Sequence, residues 1–278
     1  MRLVLLCAVF LGAGAAFGQD RGASPEGDFE VSLNTALGGW IITGYTGAGG
    51  DVIIPAEIQG LPVREIGARA FEYCSNLVSV AIPEGVTQIG AGAFWECSSL
   101  ASVAIPDGVT QIGGAAFYGC SSLASVAIPD GVTEIGAGTF RECSSLASVV
   151  IPDGVTEIGE RAFSECSSLV SVVIPDGVTQ IGEAAFAWCG SLISVTIPDG
   201  VTKIDAWTFA YCESLVSVAI PDSVTLIGEG AFRGCSSLTT VDIAPINRRW
   251  SLDIFANCGK ISLASQAALK RAGYTGEF

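Results

Sequence analysis

The sequence predicts a repeat solenoid: a right-handed coil with a parallel β-sheet, short extended or helical convex segments, a β cap at its N-terminal end and a helical cap at its C-terminal end. Three observations carry this expectation. A 23-residue unit, seen over residues 98–120 as SSLASVAIPDGVTQIGGAAFYGC, recurs eight times without a gap over residues 75–258. Cysteine falls once per unit, at Cys74, Cys97, Cys120, Cys143, Cys166, Cys189, Cys212, Cys235 and Cys258, always three residues after a phenylalanine. Proline recurs in the same register, at Pro83, Pro106, Pro129, Pro152, Pro175, Pro198 and Pro221, each time after isoleucine. One unit has too few apolar side chains to close a core, so neighbouring units must bury one another by stacking.

Each piece of the unit has a local reason. Leu100, Val103 and Ile105 read as the inward side of a short strand, with Ser102 and Ala104 facing out, because strand side chains alternate between faces. Pro106 ends the strand where a missing N–H is tolerable, and Asp107-Gly108 supplies a turn. Val109 to Ile112 reads as a second extended piece, and residues 113–120 as a tight return of a single helical turn with Phe117 pointing inward. Turns about 4.8 Å apart place Leu over Leu and Phe over Phe, giving a rod of roughly 45 Å for nine turns.

The strand matches the L-x-x-L-x-L signature of a leucine-rich repeat. The longer pattern C-x-x-L-x-x-V-x-I-P-x-G-V-x-x-I-G-x-x-A-F, here residues 97–117, resembles the BspA-like leucine-rich-repeat family over about residues 40–258. That resemblance implies a solenoid, a secreted or cell-surface location and, in some members, adhesion to host or matrix components. It transfers no catalytic residue, because the pattern contains none. The unit at residues 236–258 departs from it: Ile243-Ala-Pro-Ile-Asn-Arg-Arg replaces the I-P-D-G-V run, as expected of a terminal repeat.

The ends complete the division. Residues 1–19 read as a signal peptide, with Arg2 ahead of an apolar stretch too short to span a bilayer. Residues 20–28 read as a flexible leader. Residues 29–60 form the β-rich cap, with Phe29 and Val31 alternating in one strand and Trp40 and Ile42 in the next, covering an edge that would otherwise invite aggregation. The solenoid runs over residues 61–258, and its first turn carries five extra residues between Pro55 and Gly67. Residues 259–278 form the C-terminal cap, with a helix at residues 265–272 that ends in Lys270 and Arg271 before Gly273.

The formal charge of −15 repels phosphate backbones and argues against nucleic acid as a partner. Much of the acid stands in one file, Glu84, Asp107, Asp130, Asp153, Asp176, Asp199 and Asp222. An acid before glycine serves the turn, and one carboxylate per turn falls short of the six to eight oxygens that calcium takes, so no metal site is expected. The nine cysteines of an exported chain raise the question of disulfides. In a stack they stand one above another with near-parallel Cβ vectors, which suits a core ladder of free thiols better than bonds. The sequence has no histidine, which removes histidine-based triads and the usual zinc ligands, and no phosphate loop appears. Neither catalytic residues nor a cofactor are expected. Glu142 and Glu165, one turn apart, have the spacing of a hydrolytic pair, yet nothing in the sequence places a pocket around them.

Variation concentrates in the return segment. Its aromatic side chains, Tyr73, Trp95, Tyr118, Trp188, Trp207 and Tyr211, are the candidate partner-binding residues. They divide into Trp95 with Tyr118, and Trp188 with Trp207 and Tyr211. Whether these rings face outward or fold back over the gaps between turns is open at this level. The expected role is a secreted or cell-surface, non-catalytic binding module for a protein or glycan. The alternatives are a structural exoprotein assembling through its edges and a hydrolase using surface carboxylates.

Overall fold

The computed structural model describes residues 22–245 and 249–278. The expected signal peptide at residues 1–19 lies outside them. Within them the chain is a β-solenoid of about nine turns closed by one helix.

The core is a file of nine phenylalanines, from Phe71 to Phe255, all fully buried. Successive rings stand 5.0–5.6 Å apart and within 2–19° of parallel. This is offset stacking, which adds about 0.5–1.5 kcal/mol per pair beyond the area buried. The cysteine three residues on has a matching role. Each Sγ from Cys97 to Cys258 lies 3.0–3.2 Å from the phenylalanine carbonyl of the preceding turn, to which the S–H donates. That carbonyl also accepts the N–H of the cysteine in its own turn, as Phe94 does from Cys97. Cysteine fits because it is small enough for the file and still fills the carbonyl's second lone pair. The eight cysteines from Cys97 onward are buried, Cys74 is half-buried, and all nine are free.

Two parallel ladders frame this file. In the first, Ser79 pairs with Ser102, and Ser125, Ser148, Ser171, Ser194, Ser217 and Thr240 pair in succession. It is interrupted between Ser102–Ala104 and Ser125–Ala127, and there Val103 and Ile105 are only half-buried. The outward residues at that step are all small, Ala101 opposite Ala124, Ser102 opposite Ser125 and Ala104 opposite Ala127, so little cross-strand packing holds the two strands together. In the second ladder, two-residue strands pair isoleucine with isoleucine, as Ile66 with Ile89 and Ile89 with Ile112. The turn joining the ladders closes through Val109 N–H donating to Pro106 carbonyl at 3.0 Å, with Asp107 exposed at its corner.

The return is not the single helical turn expected of residues 113–120. It is a chain of hydrogen-bonded turns in which the positions two before and two after each phenylalanine have left-handed backbone, such as Ala115 (φ 54°) and Gly119 (φ 69°) around Phe117. Alternate N–H groups therefore point along the axis, and those of Ala115, Phe117 and Gly119 donate to the carbonyls of Ala137, Thr139 and Arg141 in the next turn. A helix would have directed them back into its own segment. Glycine after the isoleucine is needed for a different reason: a Cβ on Gly113 would stand 2.4 Å from Ala91 N.

The N-terminal end is built from β1 (Phe29–Asn34) and β2 (Gly39–Tyr45), an antiparallel pair as expected, followed by β3 (Gly50–Ile53), β4 (Glu57–Ile58) and β5 (Leu61–Ile66). β2 joins β5 in parallel and so extends the second ladder. Tyr45 stacks on Phe71 at 5.1 Å and Phe29 lies against Tyr45, closing that end of the ring file. The extra residues of the first turn form the β4–β5 hairpin, whose corner Gln59-Gly60 has φ of 51° and 78°. The stretch expected as a flexible leader is tied down over residues 24–28: Ser24 exchanges two bonds with Ile53, and Glu26 accepts from Gln59 N.

At the other end, α1 (Leu263–Arg271) begins two residues earlier than expected because Ser262 caps it, its Oγ accepting from Ser265 N at 3.2 Å. Ser265 Oγ in turn accepts from Val241 N, so the helix lies across the last strand of the first ladder. Tyr274 meets Phe255 edge-on at 5.4 Å and closes the ring file.

Three outcomes follow from the core. Phe163→Ala should destabilise the chain by about 3–5 kcal/mol in denaturant melts, against about 1–3 kcal/mol for Cys166→Ala. Denatured without reductant, the chain from residue 20 onward should titrate with nine thiols. Burial pushes the thiols of Cys97 and Cys212 up to about 12 from their ordinary 9.0. The folded state then keeps protons that the unfolded chain has released, so this contribution is complete below about pH 9 and is lost as pH rises toward 12. The melting temperature should hold up to about pH 9 and fall above it, and a Cys143→Ala/Cys166→Ala variant should show a shallower fall.

Candidate functional site

The left-handed positions of the return decide which side chains stand free. The residue after each phenylalanine forms one file along the axis, and the left-handed residue after that forms a second.

In the first file Trp95 stacks on Tyr118 at 4.2 Å, and the Arg141 guanidinium lies over the Tyr118 ring at 5.4 Å. Arg141 Nη2 also reaches Glu142 at 3.2 Å and Glu165 at 3.1 Å. Tyr118 Oη donates to Glu142 Oε1 at 2.5 Å, and this bond to a carboxylate, with burial second, pushes the phenol up to about 12.

In the second file Trp188 (φ 64°) stacks on Tyr211 (φ 59°) at 3.9 Å and 9° from parallel. Trp188 is 51% exposed and Tyr73, earlier in the same file, 66%, whereas Trp95, Tyr118, Trp207 and Tyr211 are half-buried against neighbouring turns. The structure brings Trp95 to Tyr118 and Trp188 to Tyr211, in line with the grouping drawn from the sequence. It separates Trp207, which belongs to a third file two residues before the phenylalanine and carries the Arg233 guanidinium at 5.7 Å instead. Sequence distance from Tyr211 misled here, because left-handed residues direct positions four apart to different files.

The structure also places a groove around Glu142 and Glu165, which was not expected from the sequence. Ser121, Glu142, Ser144, Glu165, Ser167 and Trp188 line an open groove of about 720 Å³ running across successive turns. The serine hydroxyls donate to the backbone carbonyls one turn earlier, Ser121 to Ser98 at 3.2 Å, Ser144 to Ser121 at 3.3 Å and Ser167 to Ser144 at 3.4 Å. The signal was present as serine in one register and acid in another, and only stacking shows that they meet. Both carboxylates of the supposed hydrolytic pair face one guanidinium. Among the described residues, no group of three or more Cys, Asp or Glu is placed to hold a metal ion, and no helix is long and apolar enough to cross a membrane.

Comparison with known proteins agrees with this architecture. Residues 64–183 and 133–262 match the family described as BspA type Leucine rich repeat region, in 6 copies. Among solved structures, the T. pallidum leucine-rich repeat protein TpLRR is 32% identical, with 92% of this chain and 99% of that one covered and a TM-score of 0.57. A leucine-rich repeat protein from Bacteroides ovatus is 30% identical over 84% of this chain and 68% of its own, with a TM-score of 0.71. A leucine rich cell surface protein from Faecalibacterium prausnitzii is 30% identical over 87% and 88%, with a TM-score of 0.55. No functionally curated protein matches the chain. The ring file, the 23-residue register and these matches together make the chain a member of the BspA-type leucine-rich-repeat family.

Proposed function

We propose that the chain is an exported, non-catalytic binding module that engages a protein or glycan through its return-segment face. The observation that carries this reading is the Trp188–Tyr211 pair, a stacked and partly open aromatic surface beside a groove, on the face where neighbouring turns differ most. Large rings that present area at low entropic cost are characteristic binding anchors. Support for export comes from the apolar stretch of residues 1–19 and from likeness to a protein described as a cell surface protein. The family consists generally of binding or surface modules.

An alternative has an observation of its own. On the outer side of the first ladder Val150 and Val173 are each 73% exposed, with Val170, Ile193 and Val216 beside them. Such a face favours lateral association of copies.

Two measurements separate these readings. Gly119 and Gly234 stand in the register of Trp188 and Tyr211, so a Trp188→Gly/Tyr211→Gly variant meets the backbone demand of both positions. It should melt within a few degrees of the parent and lose retention on a panel of purified matrix proteins and glycans. A large loss of stability would make the pair core packing instead. Sedimentation over a range of concentrations should show a monomer throughout, whereas a dimer that Val150→Lys/Val173→Lys dissolves would favour assembly.

A further inference from the structure

We infer that the groove between Glu142 and Trp188 is a receptor site for the lysine or arginine side chains of a basic peptide segment, an inference that rests on the binding-module reading above. The first argument is a donor and acceptor inventory. The groove presents the carboxylates of Glu142 and Glu165, while the hydroxyls of Ser121, Ser144 and Ser167 are already committed to backbone carbonyls. A neutral sugar brings as many acceptors as donors and would leave its acceptors without hydroxyl partners there. An ammonium or guanidinium is donor only and matches the lining.

The second argument is that the fold contains the same recognition twice. Arg141 lies over Tyr118 of the preceding turn and reaches Glu165 of the following one. Arg233 lies over Trp207 of the preceding turn and reaches Asp253 of the following one. In both, the cation's own turn lies between the ring and that carboxylate, and Arg141 also reaches Glu142, one turn from Tyr118, so this 23-residue stack accommodates a cation shared by a ring and a carboxylate on adjacent turns. Trp188 and Glu165 are likewise a ring and a carboxylate one turn apart, in the reverse axial order to Tyr118 and Glu142. Among the described residues no arginine or lysine of the chain lies over the Trp188 ring, and Trp188, stacked on Tyr211, lines the groove. A cation within about 6 Å of such a ring is attracted by its quadrupole, most strongly for Trp.

Charge points the same way. Two carboxylates oppose the single guanidinium of Arg141 at the groove, and the whole chain carries −15. A basic segment is steered toward this surface and an acidic one is repelled.

The test titrates the full chain with the peptide acetyl-GRGRG-amide, its neutral citrulline counterpart and the neutral sugar chitotetraose, following tryptophan fluorescence and heat. The arginine peptide should bind more tightly at low than at high salt, with the citrulline peptide roughly fivefold weaker or more. Glu165→Gln and Trp188→Gly should each weaken the arginine peptide roughly fivefold or more, while Asp176→Asn, the same charge change at an exposed corner between the two ladders and not in the groove lining, should leave it within about twofold. Melting curves establish that the variants are folded. Equal weakening by Asp176→Asn, or none by either groove variant, would overturn the inference. Chitotetraose bound and lost on Trp188→Gly, with no arginine peptide bound, would overturn it and leave the binding-module reading standing. Insensitivity of every probe and of the matrix panel to Trp188→Gly would remove both.

Discussion

The stack of phenylalanine rings is the interaction to which the other features answer. Rings 5.0–5.6 Å apart along one line require every turn to return to the same point after the same length of chain, and the register of 23 residues holds without a slip from Phe71 to Phe255. From Phe71 to Phe232 the carbonyl beside each ring points along the axis into the interior, and a thiol from the next turn meets it. Without it the carbonyl would keep the N–H of its own turn's cysteine and lose its second bond, a loss of about 0.5–1.5 kcal/mol. Cysteine is thereby specified by size and hydrogen bonding together, with no redox chemistry required. The five-residue insertion is tolerated in the first turn because it leaves the stack as a hairpin rather than lengthening the path through the core.

The same backbone separates permanence from variation. Left-handed residues on both sides of each phenylalanine turn alternate N–H groups along the axis, where they form a third set of inter-turn bonds. Most of their side chains are left at or near the surface, outside the ring file, where the core places little demand on their identity. Glycine, glutamate, tryptophan and tyrosine all occur in the register of Trp188, and a change there rewrites the surface without touching the stack. A solenoid of this kind is a fixed frame carrying short files of interchangeable side chains. Trp95, Tyr118 and Arg141 make one composite file, and Glu142, Glu165, Trp188 and Tyr211 another.

Closure of the two ends follows one rule with two geometries. A phenylalanine at either end would leave a ring face bare. Tyr45 covers Phe71 face to face and turns its hydroxyl to Gly49 N, while Tyr274 covers Phe255 edge-on and donates to the Glu277 carbonyl. Tyrosine serves because one end of the ring can be buried while the other meets polar groups.

The sequence alone determined the repeat length, the inward positions Leu100, Val103, Ile105 and Phe117, the proline-ended strand, the N-terminal hairpin and the C-terminal helix, because each is a local pattern repeated until it is unmistakable. The pairing of Trp95 with Tyr118 was equally legible, since residues 23 apart in such a chain are neighbours. Three features were not. The return is a run of turns because its N–H groups find partners in the next turn, and a helical reading of residues 113–120 counts only partners within the segment. Trp207 leaves Tyr211 because a left-handed residue redirects the side chain. The groove gathers serine from one register and glutamate from another, and residues such as Ser144 and Glu165, 21 apart in sequence, become neighbours only when the turns are laid one upon the next.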